Sequence, residues 1–399
     1  MSRVLFTHNG PLYRDRDGAV YGIHYTEAIK QRYLDLGDHV TFLMREVLID
    51  GPADGFSRIE PSQFDFVSVP DLMSPSKRFL NHRRAMRIIR SAVDGADLVV
   101  ARIPSLTARL AVKYARRRGT PCLIECVACN WDALWNHGLI GKLSAPWYAL
   151  MQRRIMQQAG YAVYVTEEFL QRRYPSAGRS IGISDVQLPE PDPERLDRRL
   201  ERIKTQATRQ SIRLVSVADV AVKYKGQGDL FPALVELKAA GIDIEYHLVG
   251  GGDPSRLKAL ASDFGILDRI VFHGVLKHHQ VFDLLERMDV YVQPSHQEGL
   301  PRAVVEAMSL GMPVIGAATG GIPELLPDTR VFRAGRSREF RVAFEGMLPV
   351  TEQSADARRN FARAKDFQAS ILAAKRRAFY RDFLTGNGFP TDAPAQASV

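Results

Sequence analysis

The sequence predicts an α/β protein of two doubly wound domains, each a Rossmann-like parallel sheet with helices on both faces, that face each other across a cleft. With 399 residues, the chain exceeds what one hydrophobic core usually serves. Short β-branched runs alternate with amphipathic stretches, and this alternation restarts after a proline-rich segment. Sheets of this kind bind ligands at the carboxyl ends of their strands.

The first half of the chain alternates strand and helix from its start. The predicted elements lie at 4–7, 25–36, 40–44, 77–93, 98–101, 108–117 and 122–125, with a last strand at 161–165. We therefore place the N-terminal domain at 1–188.

A linker is predicted at 189–210, because three prolines in 188–193 forbid regular structure and a charged helical stretch follows them. The second alternation places elements at 212–217, 227–240, 244–249, 255–264, 270–272, 278–287, 290–292, 302–310 and 313–315. We assign 211–366 to the C-terminal domain. A basic helix at 367–386 is expected to pack back on the N-terminal domain.

Composition indicates a globular protein without long disorder, since 45% of the residues are hydrophobic and 25% are charged. No run of 18 apolar residues occurs, and the apolar run after Met1 is too short for a secretory signal. We expect a cytoplasmic protein, either free or peripheral on the cytoplasmic face of the inner membrane.

The net charge is +9, and most of the excess is N-terminal, where residues 1–190 hold 25 Lys and Arg against 19 Asp and Glu. Arg83, Arg84, Arg87 and Arg90 form a stripe on one predicted helix, and 116–118 is an arginine run. Nucleic acid, an anionic membrane face or a phosphorylated acceptor would suit such a patch. A merely solvated helix face explains it equally well.

The three cysteines form a C-x3-C-x2-C pattern at Cys122, Cys126 and Cys129, the spacing by which radical S-adenosylmethionine enzymes hold an iron–sulfur cluster. Such ligands need a loop that can wrap the cluster. Here two of the three fall inside an apolar predicted strand. The pattern therefore favours buried, reduced thiols in a cytosolic protein.

The segment 294–324 contains the most residues of chemical interest, and its pattern predicts a strand end, a turn and a helix. Pro301 suits a first helical position, so the free N–H groups of Gly299, Leu300 and Arg302 would point at the cleft and bind a diphosphate. Glu298 would stand just outside the helix and Glu306 well inside it. The two carboxylates can therefore address different parts of one ligand.

Other turns follow predicted strands of the same domain. The glycines of 250–252 leave room for close approach to the backbone, and 272–276 can lay a base against backbone groups. Lys223 and Lys225 follow the first strand and can neutralise phosphates. Each of these features also has an ordinary structural explanation.

Together these residues resemble glycosyltransferase family 4, whose hallmark is E-x7-E, here Glu298 and Glu306 within P-S-x-x-E-G-L-P and E-A-M-x-x-G-x-P-V. The resemblance covers about 212–326, and more loosely 125–137 and 165–175, which are similar to bacterial surface-polysaccharide transferases. It implies a GT-B fold and retaining transfer from a UDP- or GDP-linked sugar. It also implies no metal and no cofactor.

Carried over from the family, Glu298 is the catalytic residue that contacts the donor sugar, and Glu306 contacts the ribose hydroxyls. The other donor-binding residues implied are Lys225, Lys223, Gly250, Gly251, Val275, Gly299, Leu300 and Pro301. Two departures stand out. Ala218 and Asp219 replace a glycine-arginine pair, and Glu125 stands where many members have a donor-facing histidine. Tentative residues on the acceptor or donor-sugar side are Gly18, Asp132 and His137.

The expected partners are a nucleotide diphosphate sugar, a glycan or polyprenyl-diphosphate-linked acceptor bound by the N-terminal domain, and a membrane surface, with no nucleic acid. Three other hypotheses explain parts of the sequence. A metal-dependent GT-A transferase would use Asp15 and Asp17, which lie in a loop after the first strand. A nucleotide-sugar epimerase shares the two-domain fold. A non-catalytic protein would bind anions or nucleic acid through its arginine stripe.

Overall fold

The computed structural model describes residues 1–52, 55–72, 75–136, 138–206 and 211–390. It contains two sheets. The first sheet has nine strands, β1 Arg3–Arg14, β2 Val20–Gly22, β3 His39–Leu48, β4 Ser57–Ile59, β5 Phe64–Ser68, β6 Leu98–Ile103, β7 Cys122–Cys126, β8 Tyr161–Tyr164 and β9 Arg179–Gly182. The second has six, β10 Ile212–Val217, β11 Ile244–Val249, β12 Ile270–Gly274, β13 Val290–Gln293, β14 Val314–Ala317 and β15 Val331–Phe332.

Helices connect these strands and cover the sheets. Six accompany the first sheet, α1 Glu27–Leu34, α2 Pro75–Asp94, α3 Leu106–Arg118, α4 Asn130–Trp135, α5 Gly138–Gln157 and α6 Phe169–Arg173. Eight follow, α7 Pro193–Gln206, α8 Phe231–Ala239, α9 Ser255–Asp263, α10 His278–Arg287, α11 Arg302–Ser309, α12 Ser337–Glu345, α13 Val350–Ala364 and α14 Ala369–Gly386.

Both sheets are doubly wound. The second is parallel throughout, in the order β12-β11-β10-β13-β14-β15, so the winding direction reverses between β10 and β13. The first has parallel strands in the order β5-β3-β1-β6-β7-β8-β9 and reverses between β1 and β6. The connections leave the sheet in opposite directions at each reversal, which opens a crevice at the carboxyl ends of the two strands.

The first sheet also contains an antiparallel extension that the sequence pattern did not predict. Strand β1 continues past an irregularity between Thr7 and Pro11, where β2 pairs antiparallel with it, and β4 pairs antiparallel with β2. The turn from β1 to β2 contains Gly18 at φ 85°, a left-handed conformation that glycine adopts without steric cost.

Helix α14 returns to the first sheet after the second is complete. Its Phe379, Tyr380 and Phe383 belong to the same buried cluster as Val4 and Phe6 of β1. A parallel sheet needs apolar cover on both faces, and α14 supplies part of that cover beside α1.

Helix α7 lies within the predicted linker and packs against the second unit. The buried Arg199 side chain donates hydrogen bonds to the carbonyl oxygens of Leu285 (2.9 Å), Met288 (2.5 Å) and Leu310. Burial lowers the pKa of this guanidinium to about 10. These carbonyls end α10 and α11, so α7 caps both helices.

The two units also meet through a carboxylate. Glu324 of the second unit accepts the backbone N–H groups of Glu167 (2.6 Å) and Phe169 (2.5 Å), at the start of α6. Beside it, the Arg363 guanidinium contacts the Glu167 carboxylate at 2.6 Å. A negative charge at free backbone N–H groups is a favourable arrangement.

We expect Phe383→Ala to lower the free energy of unfolding by about 3–5 kcal/mol, because it leaves a cavity in the core between α14 and the first sheet. Phe79→Ala is the matched control, since the Phe79 side chain is exposed, and it should change stability by less than about 0.5 kcal/mol. Denaturant unfolding measures both. Equal stability of the two variants would show that α14 is not part of this core.

Candidate active site

The candidate site lies at the switch point of the second sheet, where the segments after β10 and β13 meet. Gly226 has φ 72°, and a Cβ at this position would lie 2.2 Å from the Pro294 carbonyl oxygen. The His296 N–H donates to the Tyr224 carbonyl oxygen at 2.7 Å. Glycine thus lets the two segments touch, which brings 223–226 next to 294–298.

Glu298 is held by two donors from these segments. Its Oε1 accepts from Lys225 Nζ at 2.8 Å and from Gln293 Nε2 at 2.9 Å, and its side chain is only 11% exposed. Within the described part of the chain, no hydrogen bond reaches Oε2. One carboxylate oxygen is therefore anchored, and the other is available to a ligand.

Gln293 was missed by the sequence analysis. Its Oε1 accepts from the Tyr291 hydroxyl at 2.6 Å, and its Nε2 also donates to Ser295 Oγ at 2.8 Å. Both Gln293 and Tyr291 are buried. The carboxylate of Glu298 requires a donor, so the network assigns the amide orientation. Only its place as the last residue of β13 distinguishes Gln293 in the sequence.

The lysines predicted for the diphosphate differ in setting. Both lie in the 3₁₀ helix Lys223–Lys225, where Lys225 pairs with Glu298 and Lys223 is exposed. The Asp219 carboxylate, part of the departure from the family pattern, accepts the N–H groups of Ala221 and Val222 at 2.8 and 3.2 Å. It therefore stabilises the turn before the lysines.

The glycine turn after β11 has a packing role and an exposed edge. A Cβ on Gly250 would lie 2.2 Å from the Ala218 carbonyl oxygen, so glycine permits the ends of β10 and β11 to approach. A Cβ on Gly251 would meet the Val275 side chain at 3.2 Å. Val275 is 79% exposed. These two residues form a small apolar edge beside the site.

Helix α11 begins at Arg302, and Pro301 is its extended N-cap at ψ 118°. The prediction that Pro301 occupies the first helical position is therefore wrong by one residue, because the chain turns into the helix only after the proline. In the described residues, no protein acceptor bonds the N–H groups of Gly299 or Leu300. The Leu300 side chain packs against the cluster of the second sheet that includes Val304.

Glu306 lies inside α11, as predicted, and its side chain is buried. Its Oε1 contacts His278 Nε2 at 2.9 Å, and His278 begins α10 with 70% of its side chain exposed. Sequence reasoning missed His278, because a histidine at a helix start carries no distinctive signal. A ligand at Glu306 must share this carboxylate with the imidazole or displace it.

The segment after β7 lies opposite Glu298. A Cβ on Gly299 would lie 3.2 Å from the Val127 carbonyl oxygen, and Asn136 Nδ2 donates to the His296 carbonyl oxygen at 3.5 Å. Asp132, in α4, pairs with Arg173 at 3.6 Å. His137 lies outside the described residues.

Glu125 is part of a buried ion cluster. Its Oε2 accepts from the Tyr33 hydroxyl and from Arg102 Nη1, both at 2.9 Å, and Arg102 also pairs with Asp185. Burial disfavours the Asp185 carboxylate, but Arg102 and Arg32 hold its pKa well below its ordinary value. Glu125 is 3% exposed, so its charge serves this cluster.

The crevice of the first sheet contains polar groups of β1, at the strand's irregularity between Thr7 and Pro11. Asn9 Oδ1 accepts from Ser105 Oγ at 2.8 Å and from the Thr107 N–H at 3.1 Å, which ties β1 to the start of α3. His8 Nδ1 accepts the Gly10 N–H at 2.9 Å and contacts the Tyr25 hydroxyl at 2.6 Å. Burial lowers the pKa of His8 to about 3, so the ring is neutral.

The structure gives no support to an iron–sulfur cluster at the three cysteines or to a metal site at Asp15 and Asp17. Cys126 and Cys129 are buried, and burial raises the pKa of Cys126 to about 12. Among the described residues, no group of three or more His, Cys, Asp or Glu is placed to hold a metal. Asp15 Oδ1 accepts the N–H groups of Asp17 and Ala19, so it stabilises the turn before β2.

The tentative residue Gly18 lies in that same turn, and its carbonyl accepts from Arg14 Nη1 at 3.2 Å. The space around it is open, since a Cβ there would meet no atom of the described residues within 4 Å. Its role in the structure is therefore conformational.

Among the helices that the structure describes, none has both the length and the apolar composition of a membrane span.

Several known proteins are similar to this chain in sequence. Residues 197–336 match the family model of Glycosyl transferases group 1. The chain is 26% identical to Protein CapJ of Staphylococcus aureus over 334 residues, which are 83% of this chain and 82% of that protein. It is 32% identical to the amylovoran biosynthesis glycosyltransferase AmsK of Erwinia amylovora over 142 residues, 34% of each chain.

The fold also matches solved structures. HepE of Anabaena, solved in complex with UDP, aligns with a TM-score of 0.62 at 16% identity and covers 97% of this chain and 100% of that one. The predicted GT-B fold is confirmed. The segment 197–336, which matches the family model, contains Lys225, Glu298 and Glu306. The chain is an enzyme, a glycosyltransferase.

Gln293→Met should remove one of the two donors to Glu298 and leave the Tyr291 hydroxyl without its amide acceptor, which costs about 1–3 kcal/mol of stability. Adding Tyr291→Phe removes the unpaired group, so the double variant should recover most of that stability. Its kcat should stay at least about tenfold low, because Glu298 keeps Lys225 but still lacks the Gln293 donor. Denaturant unfolding and turnover of the donor sugar measure the two effects. A double variant with full activity would contradict this role.

Proposed function

We propose that the enzyme transfers a sugar with retention of configuration, from a UDP- or GDP-linked donor to a glycan or polyprenyl-diphosphate-linked acceptor in cell-surface polysaccharide synthesis. The observation that carries this proposal is the arrangement at the switch point of the second sheet. There Glu298 and Lys225 lie beside the N–H groups of Gly299 and Leu300, which no acceptor among the described residues bonds. The name of AmsK supports polysaccharide synthesis, and the UDP bound to HepE supports the donor class.

The donor diphosphate would lie against the Gly299 and Leu300 N–H groups, with Lys225 as its cation. Backbone N–H groups before a helix attract anions, because the helix dipole adds to their partial charge. Lys225 pairs with Glu298 at 2.8 Å in the structure, so the phosphate would share or take over this ammonium group. Asp219 would not compete, since its carboxylate is engaged by loop N–H groups.

The nucleoside would extend toward α10 and the glycine turn. Glu306 would accept hydrogen bonds from the ribose hydroxyls in place of His278, whose Nε2 lies 2.9 Å from Glu306 Oε1. The base would rest on the edge formed by Gly251 and Val275. Two carboxylates with different surroundings thereby hold different parts of the donor.

In the transfer step, the bond between the anomeric carbon and the phosphate oxygen breaks, and the acceptor oxygen bonds the same carbon from the same face. Charge develops on the leaving diphosphate, where Lys225 and the loop N–H groups would stabilise it. The free oxygen of Glu298 would hold the donor sugar and stabilise its oxocarbenium-like character. The acceptor proton would pass to the leaving phosphate oxygen.

The first sheet would bind the acceptor in its own crevice, between β1 and β6, across from Glu298. Its neutral, hydrogen-bonded His8 and Asn9 are suited to sugar hydroxyls. A polyprenyl-linked acceptor would bring the enzyme to the cytoplasmic face of the inner membrane, where Arg83, Arg84, Arg87 and Arg90 would meet anionic lipid.

A panel of UDP- and GDP-linked sugars, assayed for thermal stabilisation and for hydrolysis, tests this proposal. We expect one base to raise Tm, with a stabilisation of about 2.7 kcal/mol at a ligand concentration of 100 Kd. Glu306→Ala should weaken that binding at least about tenfold, because the ribose loses its acceptor. Glu298→Gln should retain binding but lose at least about a hundredfold in kcat, because the sugar loses its carboxylate.

Glu201→Ala is the control, since Glu201 is an exposed residue of α7 that forms an ion pair with Lys204 on the same helix. It should behave as the wild type. Donor binding that is equal in Glu306→Ala and the wild type would refute the assigned site. Rapid conversion of the donor sugar without any acceptor would identify an epimerase instead.

A further inference from the structure

Three helices form one layer on a face of the first sheet. Helix α3 lies between the other two, since its Tyr114 hydroxyl donates to Met86 Sδ of α2 at 3.3 Å and its Arg109 donates to Met151 Sδ of α5 at 3.2 Å. Helices α2 and α3 follow β5 and β6, and α5 follows β7 after the short α4. All three therefore begin near the carboxyl edge of the sheet, where the crevice lies. We call α2, α3 and α5 the basic layer.

The basic layer carries a larger net positive charge than the whole chain does. Its three helices contain fourteen lysine and arginine residues and a single acidic residue, Asp94. The chain as a whole has a net charge of only +9. The arginine stripe predicted from the sequence belongs to this layer, with Arg83, Arg84, Arg87 and Arg90 all exposed.

Apolar side chains stand out of the same layer. On α5, Leu139, Ile140, Leu143 and Trp147 are 80%, 84%, 84% and 61% exposed. Their spacing of three, four and seven or eight residues places them on one stripe of the helix. We call these four residues the apolar ridge. At the start of α2, Phe79 and Leu80 are 86% and 79% exposed. Adjacent exposed apolar residues of this size mark an interaction surface.

We propose that the apolar ridge inserts into one leaflet of an anionic bilayer while the basic layer lies on the lipid headgroups. A helix with apolar residues on one side and basic residues beside them lies in the membrane interface. Tryptophan prefers that interface, and clustered lysine and arginine attract anionic lipid. A second copy of this chain is a poor occupant, because it would bring two strongly positive layers together.

The ridge adjoins the crevice that contains the proposed active site. It begins just after α4, whose C-cap residue Asn136 donates to the His296 carbonyl oxygen beside Glu298. Insertion of the ridge would therefore hold the crevice at the headgroup level. This consequence rests on the proposed function, since it explains how a lipid-linked acceptor reaches the site. The membrane contact itself stands on exposure and charge.

Flotation of the full-length protein with vesicles tests the contact. We expect binding to vesicles of phosphatidylglycerol and phosphatidylcholine, weaker binding to phosphatidylcholine alone, and weakening by salt. The triple variant Leu139→Ser, Ile140→Ser, Leu143→Ser should lose at least about tenfold in partitioning, because three apolar side chains no longer enter the leaflet. Tryptophan emission should shift to the blue on binding, and Trp147→Phe should remove most of that shift.

Leu48→Ser and Val342→Ser are the matched controls, because these side chains are 75% and 69% exposed outside the basic layer. Both should bind vesicles as the wild type does. Undiminished binding by the triple variant would overturn the proposal. So would a wild-type dimer that the triple variant converts to monomer without any vesicle binding.

Thermal stabilisation by UDP and by GDP separates this proposal from the proposed function. The triple variant should respond to these nucleotides as the wild type does, since the ridge lies outside the donor site. If neither nucleotide stabilises the wild type, the proposed donor class fails, while the vesicle result remains interpretable.

Discussion

The close contact between the segments after β10 and β13 is the constraint on which the candidate site depends. Strand order reverses between these strands, so their carboxyl ends would otherwise leave an open crevice. Gly226 lets one segment reach the Pro294 carbonyl oxygen of the other. Lys225 and Glu298 then meet at 2.8 Å, although 72 residues separate them along the chain. A side chain at Gly226 would push the two segments apart and separate this pair.

A second layer of interactions orients the carboxylates. Gln293 holds one oxygen of Glu298 and is itself held by the Tyr291 hydroxyl, so a buried hydrogen-bond chain runs from the sheet to the site. Glu306 is held from outside by His278, an exposed residue that a ligand can displace. The two glutamates of one motif are therefore supported differently. Two buried-side donors hold Glu298 in the structure, whereas Glu306 would exchange its exposed partner His278 for the donor under the proposed function.

The two units differ in the charged surfaces that they present. The first carries the basic layer and the apolar ridge on its outside, and its interior contains the ion cluster of Glu125, Arg102 and Asp185. The second carries the candidate donor site. Glu324 connects the two units through the Glu167 and Phe169 N–H groups. One unit is thus suited to a surface and the other to a small anionic ligand, with direct contacts holding them together.

The alternation of apolar strands and amphipathic helices determined the doubly wound fold, because its periodicity reflects which face of each element is buried. The E-x7-E motif could likewise be recognised from the sequence, because its turn and helix are formed by residues that follow one another in the chain. Tertiary structure alone decided that Glu125 is a core residue, that Gln293 and His278 hold the two glutamates, and that the start of α5 exposes Leu139 and Leu143. Those contacts join residues that are distant in the chain. The sequence also does not show whether other elements cover an apolar residue or leave it exposed.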